Sequence, residues 1–285
     1  MITFQSVIIT RTTPMKVLSI VLNGKTVTAK MGQTILDLAR ENDVFIPTLC
    51  DSPALEPAAM CRLCTVQVIE GKWPKFVTAC NFPLRRDAEV VTDSPEVRQG
   101  RKLIIELLMA RCPTSRELQR LAIDYGCDLG RFSPLNDDCV VCGLCTRACE
   151  AVTGRTLSLA GRGTAIHVDT AFQKASTFCI GCGACVQICP VNKITMEDVD
   201  GERRIILHGK IASRVKLPQC TSCGKFFGPV IDLKQVMERM GEHLIPPPNA
   251  TVCPDCSRRN LAIKLGKRYF EQYGVFEEEG QADAG

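Results

Sequence analysis

Two stretches of the chain share one cysteine spacing: CVVCGLCTRACE at positions 139–150 and CIGCGACVQICP at positions 179–190. In both stretches three cysteines are separated by two residues each, and a fourth follows after three more, which gives C-x2-C-x2-C-x3-C. Glycines interrupt both runs, as Gly143, Gly181 and Gly183, and glycine lets a backbone pass close to a bound group. Eight cysteines repeated at one spacing are expected to be ligands rather than ordinary core residues.

This spacing resembles that of the bacterial ferredoxins, whose cysteine runs hold 4Fe-4S clusters through thiolate sulfurs. In those proteins the fourth cysteine of each run binds the other cluster, so the resemblance predicts two crossed ligand sets. The first set is Cys139, Cys142, Cys145 and Cys189, and the second is Cys179, Cys182, Cys185 and Cys149. Pro190 follows the second run as expected, whereas Glu150 takes that place in the first, which removes no ligand.

The composition supports a metal-binding protein. The chain has 18 cysteines in 285 residues, too few for a small disulfide scaffold and too many for an ordinary cytosolic enzyme. Its net charge of +4 arises from 35 basic and 31 acidic residues, a balance that argues against nucleic acid or an anionic membrane as partner. Most of the cysteines are therefore expected to be metal ligands.

The cellular location is predicted to be cytoplasmic. Residues 1–13 lack the basic start, long apolar core and small-residue cleavage site of a secretion signal. No stretch reaches the roughly 18 apolar residues that a membrane span needs. A reducing compartment also suits a chain with this many thiols.

A second cysteine group lies upstream, preceded by a segment with β character. Residues 17–22 and 26–29 flank the dipeptide Asn23-Gly24, and this arrangement predicts a β-hairpin. A helix is predicted over 33–41, with Ile35, Leu38 and Ala39 on one face. The cysteines that follow are Cys50, Cys61, Cys64 and Cys80.

This order resembles the plant-type ferredoxin domain, a β-grasp fold with a 2Fe-2S cluster, over residues 16–110. The resemblance rests on GQTILDLA at 32–39, IPTLC at 46–50, CRLC at 61–64 and TAC at 78–80. The longer cysteine spacing is similar to that of the iron-sulfur subunit of respiratory complex I and of NAD-linked hydrogenases. It implies that the four upstream cysteines hold a 2Fe-2S cluster. Zinc is the alternative, although zinc sites usually use two close cysteine pairs and this group has one.

Larger members of that family carry a further 4Fe-4S site, with one histidine and three cysteines, between the two regions. The corresponding stretch here has only Cys112 and Cys127 and no histidine, so we expect that site to be missing and both thiols to be free. An apolar helix face is predicted nearby from Val97, Ile104, Leu107 and Leu108.

A third cysteine group lies near the C-terminus: Cys220, Cys223, Cys253 and Cys256. Two C-x2-C pairs predict a tetrahedral four-thiolate site, and the sequences CTSCGK and CPDC resemble a zinc ribbon. Zinc is the predicted metal, and a further iron-sulfur cluster is the alternative. Between the pairs a helix is predicted over 232–243, ended by three prolines at 246–248. Basic residues over 258–268 are interpreted as a solvated or docking helix face.

The remaining residues offer no catalytic centre. His167, His208 and His243 are isolated and are interpreted as ordinary surface or core residues. No GxGxxG or GxxxxGKS motif occurs, so no nucleotide site is recognisable. We therefore expect several one-electron centres and no catalytic residues in this chain.

The fold class expected from these segments is α+β and multidomain. The predicted order is an extension over 1–14, a 2Fe-2S domain over 15–95, a helical connector over 96–135, a double 4Fe-4S domain over 136–200, a zinc-ribbon-like domain over 201–276 and an acidic tail over 277–285. This order resembles the N-terminal half of iron-only hydrogenase large subunits and the complex I iron-sulfur subunit. The four-cysteine C-terminal region departs from both.

The resemblance implies an electron-relay subunit of a soluble oxidoreductase complex. Its implied partners are a flavin- and NAD-binding subunit, a catalytic subunit such as a hydrogenase, and free ferredoxin, including in flavin-based bifurcation. One alternative is the same relay attached to a formate dehydrogenase or another anaerobic catalytic subunit. Another is a redox-sensing interaction module that works without stoichiometric redox partners.

Overall fold

The computed structural model describes residues 17–135, 137–153, 156–228 and 251–273. The predicted helix over 232–243, the prolines at 246–248, His243, the N-terminal extension and the acidic tail lie outside these ranges. The chain divides into two units, one formed by 1–169 with 184–193 and the other by 170–183 with 194–285.

The first unit begins with a five-stranded mixed sheet and one helix. Its strands and helix are β1 (Val17–Leu22), β2 (Lys25–Lys30), α1 (Ile35–Glu41), β3 (Thr65–Ile69), β4 (Pro74–Thr78) and β5 (Ala88–Val91). The strand order is β2-β1-β5-β3-β4. The central pair, β1 and β5, is parallel, and the other neighbours are antiparallel.

The predicted hairpin is confirmed. Asn23 and Gly24 have φ angles of 48° and 81°, as a two-residue turn with both central residues left-handed requires. Along β1, Leu18, Ile20 and Leu22 are buried and the intervening residues are not, so one face of the sheet meets the core.

The predicted helix is also present, but it begins two residues later than expected. Thr34 is its N-cap, and the Thr34 hydroxyl oxygen accepts a hydrogen bond of 3.1 Å from the backbone amide of Asp37. Ile35, Leu38 and Ala39 are buried against the sheet as predicted. This packing anchors the segment that leads directly into Cys50.

Two helices follow the sheet, α2 (Pro95–Arg111) and α3 (Arg116–Asp124). The predicted apolar face of α2 is wrong in part, because Leu107 is 47% exposed and Ile104 and Leu108 are only partly buried. Leu107 lies ten residues after Val97 and so points about 80° away around the helix. The buried side chains of α2 are Val97, Arg101, Ile105, Glu106 and Met109.

Each cysteine run includes residues of a short helix, and further strands and a helix complete the described chain. These elements are α4 (Leu144–Thr153), β6 (Leu157–Ala160), β7 (His167–Thr170), α5 (Ala184–Gln187), β8 (Ile194–Val199), β9 (Glu202–Leu207), β10 (Lys210–Lys216) and α6 (Pro254–Tyr273). Strands β6 and β7 pair, and the order β10-β9-β8 forms an antiparallel sheet in the second unit. Strands β8 and β9 pair across the domain boundary predicted between residues 200 and 201. Within the described residues, no helix combines the length and apolar character needed to cross a membrane.

Candidate iron-sulfur and metal centres

The four upstream cysteines are brought together at one edge of the five-stranded sheet. Cys50 follows α1, Cys61 and Cys64 precede β3, and Cys80 follows β4. All four are at most 4% exposed. The amide of Cys61 donates to the Cys50 Sγ at 3.4 Å, the kind of hydrogen bond that stabilises a thiolate.

The sulfurs of this group interact strongly with one another. The thiol of Cys61 donates to Cys50 and lowers the pKa of Cys50 to about 6, against the effect of burial. In the same way, the thiol of Cys80 lowers the pKa of Cys64 to about 7. The partner thiols, Cys61 and Cys80, have raised pKa values because each donates to a neighbouring sulfur. Four buried thiolates would repel one another, so a positively charged group among them fits this donor set.

The last cysteine of the second run acts electrostatically on the first run. The pKa of Cys142 is raised to about 11, mainly by burial and also by the negative charges of Cys139 and Cys189. Burial also raises the pKa of Cys145, with added repulsion from Cys142, Cys139 and Cys189. The charge of Cys189 therefore acts on two cysteines of the first run, and the crossed ligation stays a prediction.

Backbone amides support these sulfurs. The amide of Val141 donates to the Cys139 Sγ at 3.4 Å, and the amide of Lys193 donates to the Cys189 Sγ at 3.3 Å. Such bonds favour the charged thiolate and influence the potential of a bound cluster.

The other predicted 4Fe-4S ligands are divided between the two units. Cys149 and Cys185 belong to the first unit, and Cys179 and Cys182 belong to the second. The amide of Gly181 donates to the Cys179 Sγ at 3.4 Å, and Cys182 is exposed. The joint ligation of these four cysteines stays a prediction.

The 2Fe-2S region and the first run share one apolar cluster. Cys50, Cys61 and Cys142 are members, together with buried side chains from α2 and α3. Gly143 makes a close contact in this region, because a Cβ added there would lie 2.5 Å from the Sδ of Met60. The two cysteine groups are therefore packed against each other within the first unit.

Three arginines, which the sequence analysis did not single out, donate to backbone carbonyls at the cysteine loops. Arg147 donates to the Cys50 oxygen, Arg111 to the Cys139 oxygen and Arg203 to the Gly181 oxygen. Of the three, only Arg147 could have been found from the sequence, because it lies within the first cysteine run. The other two are distant in sequence from the cysteines they support.

The C-terminal cysteines converge as predicted. The Sγ atoms of Cys220, Cys223, Cys253 and Cys256 all lie within 4.8 Å of one another. The Cys223 and Cys253 sulfurs are 3.8 Å apart, and the amide of Cys253 donates to the Cys220 Sγ at 3.3 Å. That amide bond is the largest of several hydrogen bonds that together lower the pKa of Cys220 to about 6. Because four soft ligands at this separation can surround one ion, the geometry fits a metal site.

Three residues that the sequence analysis assigns to no metal site have the following surroundings. Cys112 is fully buried, and burial raises its pKa to about 11. Cys127 is half-buried, and its Sγ donates to the Lys102 carbonyl at 3.7 Å. His167 contacts the Ala165 carbonyl through Nδ1 at 2.8 Å.

Comparison with protein families identifies three segments. Residues 15–95 match a 2Fe-2S iron-sulfur cluster binding domain, and residues 131–190 and 178–225 each match a 4Fe-4S dicluster domain. The second of these dicluster matches includes Cys220 and Cys223. The chain is thus an iron-sulfur protein in which a 2Fe-2S domain precedes 4Fe-4S dicluster domains.

This protein is related to subunits of hydrogenases and of complex I. It is 34% identical over 213 residues to the NADP-reducing hydrogenase subunit HndD of Solidesulfovibrio fructosivorans, which covers 63% of this chain and 36% of the relative. It is 30% identical over 203 residues to the NADH-ubiquinone oxidoreductase 75 kDa subunit of Reclinomonas americana, a match that covers 62% of this chain and 29% of that subunit. The NADPH-Fe(3+) oxidoreductase subunit alpha of Geobacter sulfurreducens is 30% identical over 202 residues, a match that covers 62% of this chain and 24% of that subunit.

The chain spans between a quarter and about a third of the length of these relatives. Among solved structures, a crystal structure of an NAD+-reducing NiFe hydrogenase in the H2-reduced state is 26% identical. That match has a TM-score of 0.48 and covers 54% of this chain and 74% of the hydrogenase chain.

Proposed function

We propose that this protein is the iron-sulfur electron-transfer subunit of an NAD(H)-linked multisubunit oxidoreductase whose catalytic subunit is a hydrogenase. The observation that carries the proposal is the apolar cluster that contains Cys50 and Cys61 of one cysteine group and Cys142 of the other, because two proposed redox centres in one buried core support a relay. Bound clusters would supply one-electron redox chemistry. The chain itself holds them, excludes water and surrounds them with hydrogen-bond donors.

The proposed ligand sets are those predicted from the spacing. Cys50, Cys61, Cys64 and Cys80 hold the 2Fe-2S cluster. Cys139, Cys142, Cys145 and Cys189 hold one 4Fe-4S cluster, and Cys179, Cys182, Cys185 and Cys149 hold the other. The charge interactions of Cys189 with the first run support the crossing.

The proposed metal at the C-terminal site is a single zinc ion. Four thiolates about 2.3 Å from one ion lie about 3.8 Å from each other, and the Cys223–Cys253 separation of 3.8 Å agrees with that value. A four-iron cube instead binds each thiolate through a different iron, so its sulfurs must lie further apart. The dicluster match over 178–225 favours the iron-sulfur alternative, and the separation of the sulfurs favours zinc.

Metal content tests these assignments. Protein purified without oxygen should contain about ten irons and one zinc per chain. About fourteen irons without zinc would instead make the C-terminal site a fourth cluster. Replacing Cys220 with Ser should release zinc and leave the visible cluster absorbance unchanged, since a structural zinc stabilises its local fold.

The functional proposal is tested on the native complex isolated under anaerobic conditions. The chain should co-purify stoichiometrically with a flavin- and NAD-binding subunit and with a hydrogenase. Its clusters, followed by electron paramagnetic resonance, should be reduced by H2 and by NADH. If the complex bifurcates electrons, H2 should reduce NAD+ only when oxidised ferredoxin is also present.

Two other outcomes select the alternatives. Reduction by formate instead of H2, with molybdenum or tungsten in the complex, would assign the chain to a formate dehydrogenase. Isolation of the chain without any stoichiometric redox partner would contradict a relay and favour the redox-sensing module.

A further inference from the structure

We propose that Arg147 is a positioning residue that raises the reduction potential of the 2Fe-2S centre through its contact with the Cys50 loop. This inference rests on the proposed 2Fe-2S ligation. It concerns a side chain from the first 4Fe-4S run that acts on a centre formed by a different part of the chain.

The geometry of Arg147 joins the two cysteine groups. The residue lies on α4 between Cys145 and Cys149, and its Nη2 donates to the Cys50 carbonyl oxygen at 2.5 Å. Its Nη1 donates to the Glu56 carbonyl oxygen at 2.6 Å, and its Nε donates to the Gly143 oxygen at 3.3 Å. One guanidinium thus contacts the start and the middle of the loop between Cys50 and Cys61 and also the backbone of the first run.

The charge of Arg147 is not neutralised by an adjacent carboxylate. Arg111 pairs with Asp137 at 2.6 Å, and Arg203 pairs with Asp198 at 2.8 Å. Among the described residues, no carboxylate oxygen lies within 4.0 Å of the Arg147 nitrogens. Of the three arginines at the cysteine loops, Arg147 is therefore the one without a carboxylate in ion-pair contact among the described residues, while Asp51, Glu56 and Glu150 line the same cavity as Arg147 at greater distance.

A positive charge at this position favours the reduced centre. Reduction adds a negative charge to the cluster, and a nearby cation stabilises that charge. The effect is enhanced because Cys50 is 1% exposed and lies in an apolar cluster, where screening by water is weak.

Substitution at Arg147 separates charge from packing. Arg147→Gln removes the charge and keeps a donor, whereas Arg147→Lys keeps the charge but cannot serve three carbonyls at once. In Arg147→Gln the ratio of reduced to oxidised 2Fe-2S centre at a fixed applied potential should fall about tenfold. For a one-electron centre this corresponds to a reduction potential lower by about 59 mV. Arg147→Lys should recover most of that shift. The matched control is Arg62→Gln, which removes the same charge from an exposed arginine between Cys61 and Cys64. Because water screens that charge, the potential should fall by much less.

A second variant tests the charge without removing any hydrogen bond. Ala151 is exposed, lies one turn after Arg147 on α4, and lines the same cavity of about 740 Å³. Ala151→Glu places a carboxylate within reach of the guanidinium. It should therefore lower the 2Fe-2S potential, whereas Ala151→Gln should not.

The measurement is a redox titration monitored by electron paramagnetic resonance, with iron content determined on each variant. Unchanged potentials in both Arg147→Gln and Ala151→Glu, with the 2Fe-2S signal intact, would overturn the inference. Equal shifts in Arg147→Gln and Arg147→Lys, with no shift in Ala151→Glu, would show that Arg147 acts only by packing. Absence of a 2Fe-2S signal from the unsubstituted protein would instead defeat the proposed ligation.

Discussion

Cys50 and Cys142, which belong to different cysteine groups, are buried in the same apolar cluster, and the charge of Cys50 contributes to the raised pKa of Cys142. Burial is the larger cause of that raised pKa, so water is largely excluded from the space around both sulfurs. Clusters held by these two cysteine groups, as proposed, would influence each other electrostatically as well. An electron on one centre should therefore make reduction of the other less favourable.

Double substitution can test the crossed ligation. Cys139→Ser and Cys189→Ser should each remove about four irons, and the double variant should also lose about four, because both residues serve one cluster. Cys139→Ser combined with Cys149→Ser should lose about eight. Iron analysis after anaerobic purification gives these values. A loss of about eight irons from the Cys139 and Cys189 double variant would contradict the crossing.

Gly143→Ala should destabilise the protein by about 1–3 kcal/mol, because the new Cβ meets Met60 and the backbone is left-handed at φ 70°. Gly24→Ala is the control, since Gly24 has φ 81° but nothing lies within 4 Å of the added Cβ. Gly24→Ala should lower the free energy of unfolding by about 1 kcal/mol, because of backbone strain alone. Anaerobic denaturant unfolding measures the difference, and Met60→Ala in the Gly143→Ala background should recover part of it. Equal losses of unfolding free energy in the two variants would show that the contact with Met60 is unimportant.

Arg101→Met should destabilise the first unit by about 2–4 kcal/mol, because it leaves buried hydrogen-bond partners unpaired. Arg101 is 1% exposed and donates twice to the Thr65 carbonyl, at 3.2 and 2.8 Å, and once to the Tyr125 hydroxyl at 3.1 Å. The control is Arg120→Met, since Arg120 has a 66% exposed side chain and pairs with Glu117 at 3.8 Å. Arg120→Met should change the free energy of unfolding by no more than about 0.5 kcal/mol. Similar unfolding temperatures for the two variants would refute a stabilising role for Arg101.

Cys112→Ala should leave the iron content unchanged. The Cys112 thiol is fully buried and packs in the apolar cluster with side chains of α2 and α3, as an ordinary core residue does. The variant should lose only about 1 kcal/mol of stability through the small cavity it creates. A loss of about four irons would show that a further cluster uses this residue.

The sequence predicted those features that depend on neighbouring residues. The hairpin at Asn23-Gly24, the helix after Thr34 and the spacing of the cysteine runs are all local patterns. The convergence of Cys220 with Cys253 was also predictable, because paired C-x2-C motifs have few other uses. These features account for the 2Fe-2S and 4Fe-4S domain assignments.

Contacts between distant segments were not predictable in this way. Arg147 and the Cys50 carbonyl are 97 positions apart, and Arg101 reaches the Thr65 carbonyl over 36 positions. Nothing in the spacing of an arginine indicates which carbonyl it will meet. The face of α2 was misassigned around Leu107 for a related reason, since the buried stripe includes Arg101 and Glu106, which a purely apolar pattern omits.

The close contact of Gly143 with Met60 and the shared apolar cluster bear on how this protein could be dissected. A gene fragment ending at residue 95 would encode the whole five-stranded sheet but would leave Leu49 and Leu63 without the side chains of α2 and α3 that cover them. Such a fragment should aggregate or assemble its cluster poorly, although residues 15–95 match a domain model on their own. The smallest piece suitable for independent expression therefore extends through the second cysteine run. Transplanting the 2Fe-2S module into another protein would require redesign of the surface that α2, α3 and the first run now cover.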